Sequence, residues 1–215
     1  MRVLVGCEES QAVTKAFHAL GHEAYSCDLL DCSGGLPKYH FKENFYKIRF
    51  TWRWDMVISF PPCDHLAVSG ARWFKEKRDD GRQAAGIKFF LDVWNYSDAV
   101  ENPIGIMNDG RYVKKWFPVL YQEAMDMGFP WKPSQIIQPW QFGHPETKAT
   151  CLWLKPGVPL LKETFNVYDE MMKLPYGKRA KVHHASPGPE RKKIRSKTYL
   201  GIAEAIAKQW GGLKK

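Results

Sequence analysis

Four short apolar runs, each stopped by polar, proline or cysteine residues, constrain this chain more than any other feature. They are RVLVGC (2–7), EAYSCDLL (23–30), WDMVISF (54–60) and DAVENP (98–103). Brief, nearly continuous Val/Ile-containing runs are the mark of strands covered on both faces. Amphipathic stretches separate them. SQAVTKAFHAL (10–20) predicts a helix, with Ser10 placed to cap it, a stripe of Val13, Ala16, Phe17 and Leu20, and Gly21 at its end. GRQAAGIKFFLDVWNYS (81–97) predicts another. KWFPVLYQEAMDMGF (115–129) predicts one helix running to Gly128, with Pro118 in its first turn. Alternating strand and helix signals predict a parallel-sheet α/β fold.

The later part of the chain changes character. SQIIQPWQFG (134–143) and KATCLWLK (148–155) read as two strands joined by HPET, an antiparallel pair at the sheet edge. Residues 157–195 show no clear periodicity and form a basic, irregular insertion. KTYLGIAEAIAKQWGG (197–212) predicts a closing amphipathic helix. No repeat or low-complexity linker interrupts the chain, so the 215 residues are expected to form one domain with that insertion inside it.

Charge and cysteine usage narrow the function classes. The net charge is +9, with much of the excess in KRAKVHHASPGPERKKIRSK (178–197). A clustered basic excess favours a phosphate-rich partner through counterion release. No run of about 18 apolar residues exists, so no membrane span is expected, and MRVLVGCEES lacks the pattern of a signal peptide. The five cysteines, at 7, 27, 32, 63 and 151, are odd in number and lack paired metal spacing. They read as reduced thiols in a cytoplasmic protein, with no metal expected. His144, His183 and His184 likewise lack ligand spacing.

In an open α/β sheet, ligands bind beyond the carboxyl ends of the strands. Here those ends carry GCEES (6–10), Asp28, PPC (61–63) and ENP (101–103). A parallel sheet places them on one rim: a carboxylate suited to ribose hydroxyls, a thiol after two stiffening prolines, and a second carboxylic acid. Cys63 is read as a nucleophile rather than a packing cysteine; Cys7, Cys27, Cys32 and Cys151 are read as packing thiols. Asp64 and His65 beside Cys63 invite a Cys–His hydrolase reading, but residues adjacent in sequence rarely point at one another.

These residues resemble the cytosine-5 DNA methyltransferases, including their short phage and prophage members. DMVISFPPC (55–63) is similar to that family's strand ending in Pro-Cys, AVENP (99–103) to its strand ending in Glu-Asn, QFGHPETKATCLWL (141–154) to its aromatic-Gly-x-Pro turn and following strand, and GIAEAIAKQW (201–210) to its last motif. The resemblance covers residues 1–156 and 196–210 and rests on order and spacing. It implies a Rossmann-like S-adenosylmethionine-dependent methyltransferase fold and DNA, single- or double-stranded, as partner. It implies Cys63 as the thiolate that adds to carbon 6 of cytosine and Glu101 as the acid at ring nitrogen 3. Gly6, Cys7, Glu8 and Ser10 would meet the methionine end of S-adenosylmethionine, Asp28 the ribose, Asn44 the adenine, and Pro61 the cofactor side. Pro62, Asn102, Lys148, Thr150 and Arg72 would face the substrate.

The chain departs from that pattern in three places. Cys7, Glu8 and Glu9 stand where the family has small, glycine-rich residues. Glu146, Lys148 and Thr150 stand where it has Gln-x-Arg-x-Arg, so that either another cation, such as Lys148 or Arg72, does the work of the missing arginine, or the substrate differs. A large target-recognition domain is absent, leaving 157–195 to take its place with short or lax specificity, and Trp73 or Trp140 to stack on a base. The second reading that follows is a catalytically inactive protein of this fold that binds nucleic acid or the cofactor. Methylation of an exocyclic amine fits less well, because that chemistry follows two prolines with an aromatic residue, whereas here Phe60 precedes Pro61 and Pro62.

Overall fold

The computed structural model describes residues 1–181 and 195–213. Seven strands form one sheet: β1 (Arg2–Gly6), β2 (Glu23–Asp28), β3 (His40–Lys42), β4 (Met56–Ser59), β5 (Ala99–Pro103), β6 (Gln135–Ile137) and β7 (Thr150–Leu154), in the order β3-β2-β1-β4-β5-β7-β6. Strands β3, β2, β1, β4 and β5 are mutually parallel. Strand β7 runs antiparallel to both β5 and β6, so the expected antiparallel pair closes the sheet at one edge. All four strand ends singled out from the sequence therefore lie on the same rim.

Residue alternation in β1 explains the layering. Val3 and Val5 face one side, where Val13 and Phe17 of α1 (Ala12–Ala19) pack with Ile202, Ile206 and Trp210 of the closing helix (Leu200–Trp210). Leu4 faces the other side. There it joins Val57, Val100 and Trp153 under Phe90 and Trp94 of α4 (Arg82–Asn95) and Phe45 and Ile48 of α2 (Phe45–Thr51). Removing Val3, Leu4 and Val5 from water contributes about 1.5–3 kcal/mol per side chain, and all three are fully buried.

Three local expectations change. The single helix over 115–129 is two, α5 (Arg111–Trp116) and α6 (Pro118–Asp126), with α3 (Phe74–Asp79) lying earlier in the chain. Phe117 between them is forced out of helical geometry (φ −137°, ψ 59°) because the Pro118 ring crowds the residue before it. The connection from β6 to β7 is longer than HPET, since β6 ends at Ile137 and a 3₁₀ turn (Pro139–Gln141) follows. The stretch expected to be irregular holds two short helices, Tyr168–Lys173 and Tyr176–Arg179; His183 and His184 lie outside the described residues. Among the described residues no helix is long and apolar enough to cross a membrane.

Candidate active site

The rim begins with a tight turn between β1 and α1. Gly6 ends β1 because the Phe45 ring lies against it: a Cβ there would come within 2.6 Å of that ring and 2.8 Å of the Ser59 hydroxyl. The glycines that the resemblance leads one to expect next are missing, yet their conformation is present. Cys7 (φ 57°) and Gln11 (φ 55°) both occupy the left-handed region, at a cost of about 1–3 kcal/mol each for residues other than glycine. Gln11 is fully buried. It clamps the loop after β2 by donating to the Ser26 hydroxyl (3.1 Å) and the Leu36 carbonyl (2.9 Å) and accepting from the Leu36 amide (2.9 Å).

Ser10 does not cap α1; Gln11 stands at the cap position and makes no side-chain cap bond. Glu8 does that work instead. Its carboxylate turns inward and accepts from the Val13 amide (2.6 Å), the Thr14 amide (3.2 Å) and the Thr14 hydroxyl (2.7 Å). Unpaired amides at a helix start attract an acid, and here that pull turns the side chain away from the cofactor contact expected of it. Burial nevertheless raises its pKa to about 7, against the lowering effect of these bonds. Asn44 is likewise a helix cap: its Oδ1 accepts from the Tyr46 amide at the start of α2 (2.9 Å). Asp28 closes β2 on the rim, half-buried, its Oδ1 accepting from the Leu30 amide (2.9 Å). Burial pushes its carboxyl above the usual range. Burial, with Asp28 and Cys27 nearby, also raises the Cys7 thiol.

The second half of the rim joins β4 to β5. After Ser59 the chain passes through Pro61 and Pro62 and turns at Cys63, whose carbonyl accepts from the Leu66 (3.0 Å) and Ala67 (2.9 Å) amides. Three bonds stitch this loop to the end of β5. The Asn102 side chain donates to the Pro61 carbonyl (2.8 Å), the Val68 amide to Ile104 (3.1 Å) and the Ile106 amide to Leu66 (3.0 Å). Gly105 permits the last contact, since a Cβ there would stand 2.3 Å from the Leu66 oxygen. Asn102 is 2% exposed. Its expected substrate contact is replaced by this internal bond, because the two-residue alternation of β5 points it away from the side occupied by Glu101.

Cys63 and Glu101 are brought together. The Cys63 thiol rises to about 11, first through burial, then through the negative charges of Asp64 and Glu101; Lys148 and Arg195 pull it back. The Glu101 carboxyl is raised by burial and lowered by Lys148 and by the Thr150 hydroxyl. A thiol, a carboxylic acid and two cations thus lie within electrostatic reach of one another at this end of the sheet. Lys148 stands where a cation was expected. The Thr150 hydroxyl lies between the Glu101 carboxyl and the Lys148 carbonyl (3.2 Å), with one proton to give to either. Arg72 is exposed and stacks on Trp73 (5.0 Å) instead of joining the crevice. Pro61 is buried and Pro62 exposed.

Sequence reasoning missed the residues that hold the Cys63 loop from behind. Lys77, nearly buried, donates to the Asp64 carbonyl (2.6 Å), and Gln83 donates to the His65 carbonyl (3.0 Å) while accepting from the Tyr112 hydroxyl (2.9 Å). No spacing rule marks a lysine on one helix and a glutamine on the next as loop clamps. Trp140 packs edge-on against Tyr168 (5.0 Å). They line a separate cavity of about 590 Å³ with Asn166, Val167, Asp169 and Glu170, to which Cys63 and Glu101 do not contribute. Among the described residues no three His, Cys, Asp or Glu side chains gather as metal ligands.

The sheet order, with β7 reversed between β5 and β6, defines the Rossmann-like fold of S-adenosylmethionine-dependent methyltransferases. Neither a protein-family model nor a curated protein matches the sequence. Among solved structures, one similar chain is an E. coli protein encoded within a prophage and provisionally described as a DNA modification methyltransferase. It shares 13% identity at a TM-score of 0.43, and the match covers 81% of this chain and 55% of that one. The present chain thus spans about half the length of that neighbour.

Proposed function

We propose that the protein is an S-adenosylmethionine-dependent DNA methyltransferase that modifies carbon 5 of cytosine through a covalent bond to Cys63. The observation that carries this reading is the juxtaposition of Cys63 with Glu101 at the ends of adjacent parallel strands, held in register by the Asn102–Pro61 bond.

The chemistry suits the groups. Carbon 5 of cytosine is a weak nucleophile. Cys63, its proton lost to water, forms a bond from sulfur to carbon 6. The electron pair of the 5,6 double bond moves toward carbon 5, and Glu101 protonates nitrogen 3. A carboxyl raised by burial holds that proton closer to neutrality than an ordinary glutamate does. Carbon 5 then takes a methyl group. A base removes the hydrogen from carbon 5, the double bond re-forms, sulfur leaves as thiolate, and nitrogen 3 returns its proton to the Glu101 carboxylate. A thiol near 11 is protonated at rest, so the cations beside it and the arriving substrate must favour the thiolate. A cytosine inside a duplex hides these atoms; the base enters flipped or from a single strand.

The β1–α1 turn and β2 fit S-adenosylmethionine. Cys7 holds a left-handed turn at the end of β1, Asp28 offers a carboxylate for the ribose, and Glu8, turned inward onto the start of α1, does not face the methionine carboxylate. Bound there, the sulfonium supplies the methyl group. The basic surface and the crevice cations suit DNA as partner, and the whole chain works as one catalytic domain in the cytoplasm.

The test is trapping on 5-fluorocytosine DNA, whose fluorine cannot leave as a proton does. With S-adenosylmethionine present, a stable protein–DNA adduct on Cys63 is expected, absent in Cys63→Ala. DNA binding without an adduct in the wild-type protein would select the inactive binding protein. Methylation surviving Cys63→Ala would select amine chemistry.

A further inference from the structure

Arg72, one of the two cations considered for this site, stays exposed against Trp73, and the structure brings a different arginine toward Cys63. Ser69 lies on the turn that follows the nucleophile: Ala67 is bonded to the Cys63 carbonyl, and a Cβ on Gly70 would lie 3.6 Å from the Asp64 carbonyl. Arg195 reaches this turn from the far end of the chain and donates to the Ser69 hydroxyl (2.8 Å). Two residues on, the Lys197 carbonyl accepts from the Lys148 ammonium (3.5 Å). Tyr199 then donates to Glu146 (2.7 Å), and the Gly201 amide meets the His144 ring (3.0 Å), so close to the Phe142 carbonyl that a Cβ would overlap it at 1.9 Å. Residues 195–201 thus bridge from the Cys63 turn on one side to the β6–β7 connection on the other. The Ser69 hydroxyl that Arg195 meets is neutral and by itself does not cancel the guanidinium charge.

We propose that residues 195–201 form a strap that sets Arg195 opposite Lys148 across the Cys63–Glu101 crevice, making a two-cation seat for a backbone phosphate of the strand whose base enters. An ionised Glu101 and a Cys63 thiolate would otherwise repel that phosphate. A guanidinium held by one bond keeps several N–H donors for phosphate oxygens. The electrostatic pull of Arg195 and Lys148 on Cys63 is consistent with this placement. The inference rests on nucleic acid being the substrate.

The test measures binding of a labelled single-stranded oligodeoxynucleotide carrying one cytosine to the full chain across a salt series. Arg195→Ala is expected to weaken binding about tenfold and to reduce the slope of log K against log salt by about 0.7, one phosphate contact on a single strand. Arg195→Lys should recover part of both, which guards against a folding artefact. Arg2→Ala, at the opposite end of β1 and paired with Glu23, is the control for net charge and should change neither. Wild-type affinity and slope in Arg195→Ala, or an equal loss in Arg2→Ala, overturns the strap's role. A wild-type protein that binds no oligonucleotide overturns the nucleic-acid reading itself.

Discussion

Asn102 should behave as the pin that aligns the loops after β4 and β5, and its removal should damage stability and the proposed chemistry together. It is buried, and its Nδ2 donates to the Pro61 carbonyl at 2.8 Å. Asn102→Ala loses a bond worth about 1 kcal/mol and leaves the Pro61 carbonyl unpaired, for a total of about 2 kcal/mol. In a chain of this length that corresponds to a fall in Tm of about 4–8 °C. Trapping on 5-fluorocytosine DNA should slow by well over tenfold, since roughly 1 Å of misplacement can cost about a hundredfold. Asn102→Asp adds a signed test. Ionised, the aspartate presents an acceptor to an acceptor; protonated, it can donate to Pro61. Burial makes the folded variant bind that proton more tightly than the unfolded chain, so its deficit against wild type should shrink as pH falls. Thermal unfolding between pH 4 and pH 8 would read this directly. A wild-type Tm and trapping rate in Asn102→Ala, or a pH-independent deficit in Asn102→Asp, would refute the pin.

Two further outcomes follow from the titrating groups. The Glu8 carboxyl is raised to about 7 from an ordinary value of 4.5, so the folded state holds its proton through that window. Its contribution to stability is complete below pH 4.5 and is lost as pH rises to 7, by about 3 kcal/mol; the stability of wild type relative to Glu8→Gln should fall over that window, and a constant difference in urea midpoints would contradict it. Carbamidomethylation of Cys63 by iodoacetamide should rise with pH toward a midpoint near 11, and Glu101→Gln should move it lower by removing a negative neighbour; an unmoved midpoint, read by mass spectrometry of the Cys63 peptide, would separate the two groups.

The strands and their shared rim were legible because buried strands write themselves as apolar runs, and parallel connections place their ends together. Cys63 and Glu101 were legible for the same reason: each follows a run by a fixed, short interval. Helix α5 was run together with α6 because hydrophobic spacing continues through Phe117 while the proline's steric effect acts on the residue before it. Asn102 was assigned to the wrong neighbour because a dipeptide motif does not say which of its members points outward. Glu8 was misread because an acid two residues past a strand looks the same whether it faces a ligand or a helix start. Arg195 was out of reach: 126 positions separate it from its partner Ser69, and no local pattern spans that interval.

The rim concentrates features that cost stability. Cys7 and Gln11 hold left-handed geometry without being glycine. Glu8, Asp28 and Glu101 keep carboxyl groups where burial disfavours their charge, and Cys63 sits among two carboxylates that oppose its thiolate. At a purely structural rim, glycine at the strained positions and apolar residues at the buried acids would relieve each cost. Strain and perturbed ionisation gathered around one crevice are what positioned chemistry requires. A protein that only bound nucleic acid would need the basic surface; it would have no use for a thiol and an acid locked together by a buried amide. Whether Cys63 and Glu101 lose trapping in parallel, while oligonucleotide affinity stays within about twofold in Cys63→Ala, therefore separates a catalytic rim from a binding one.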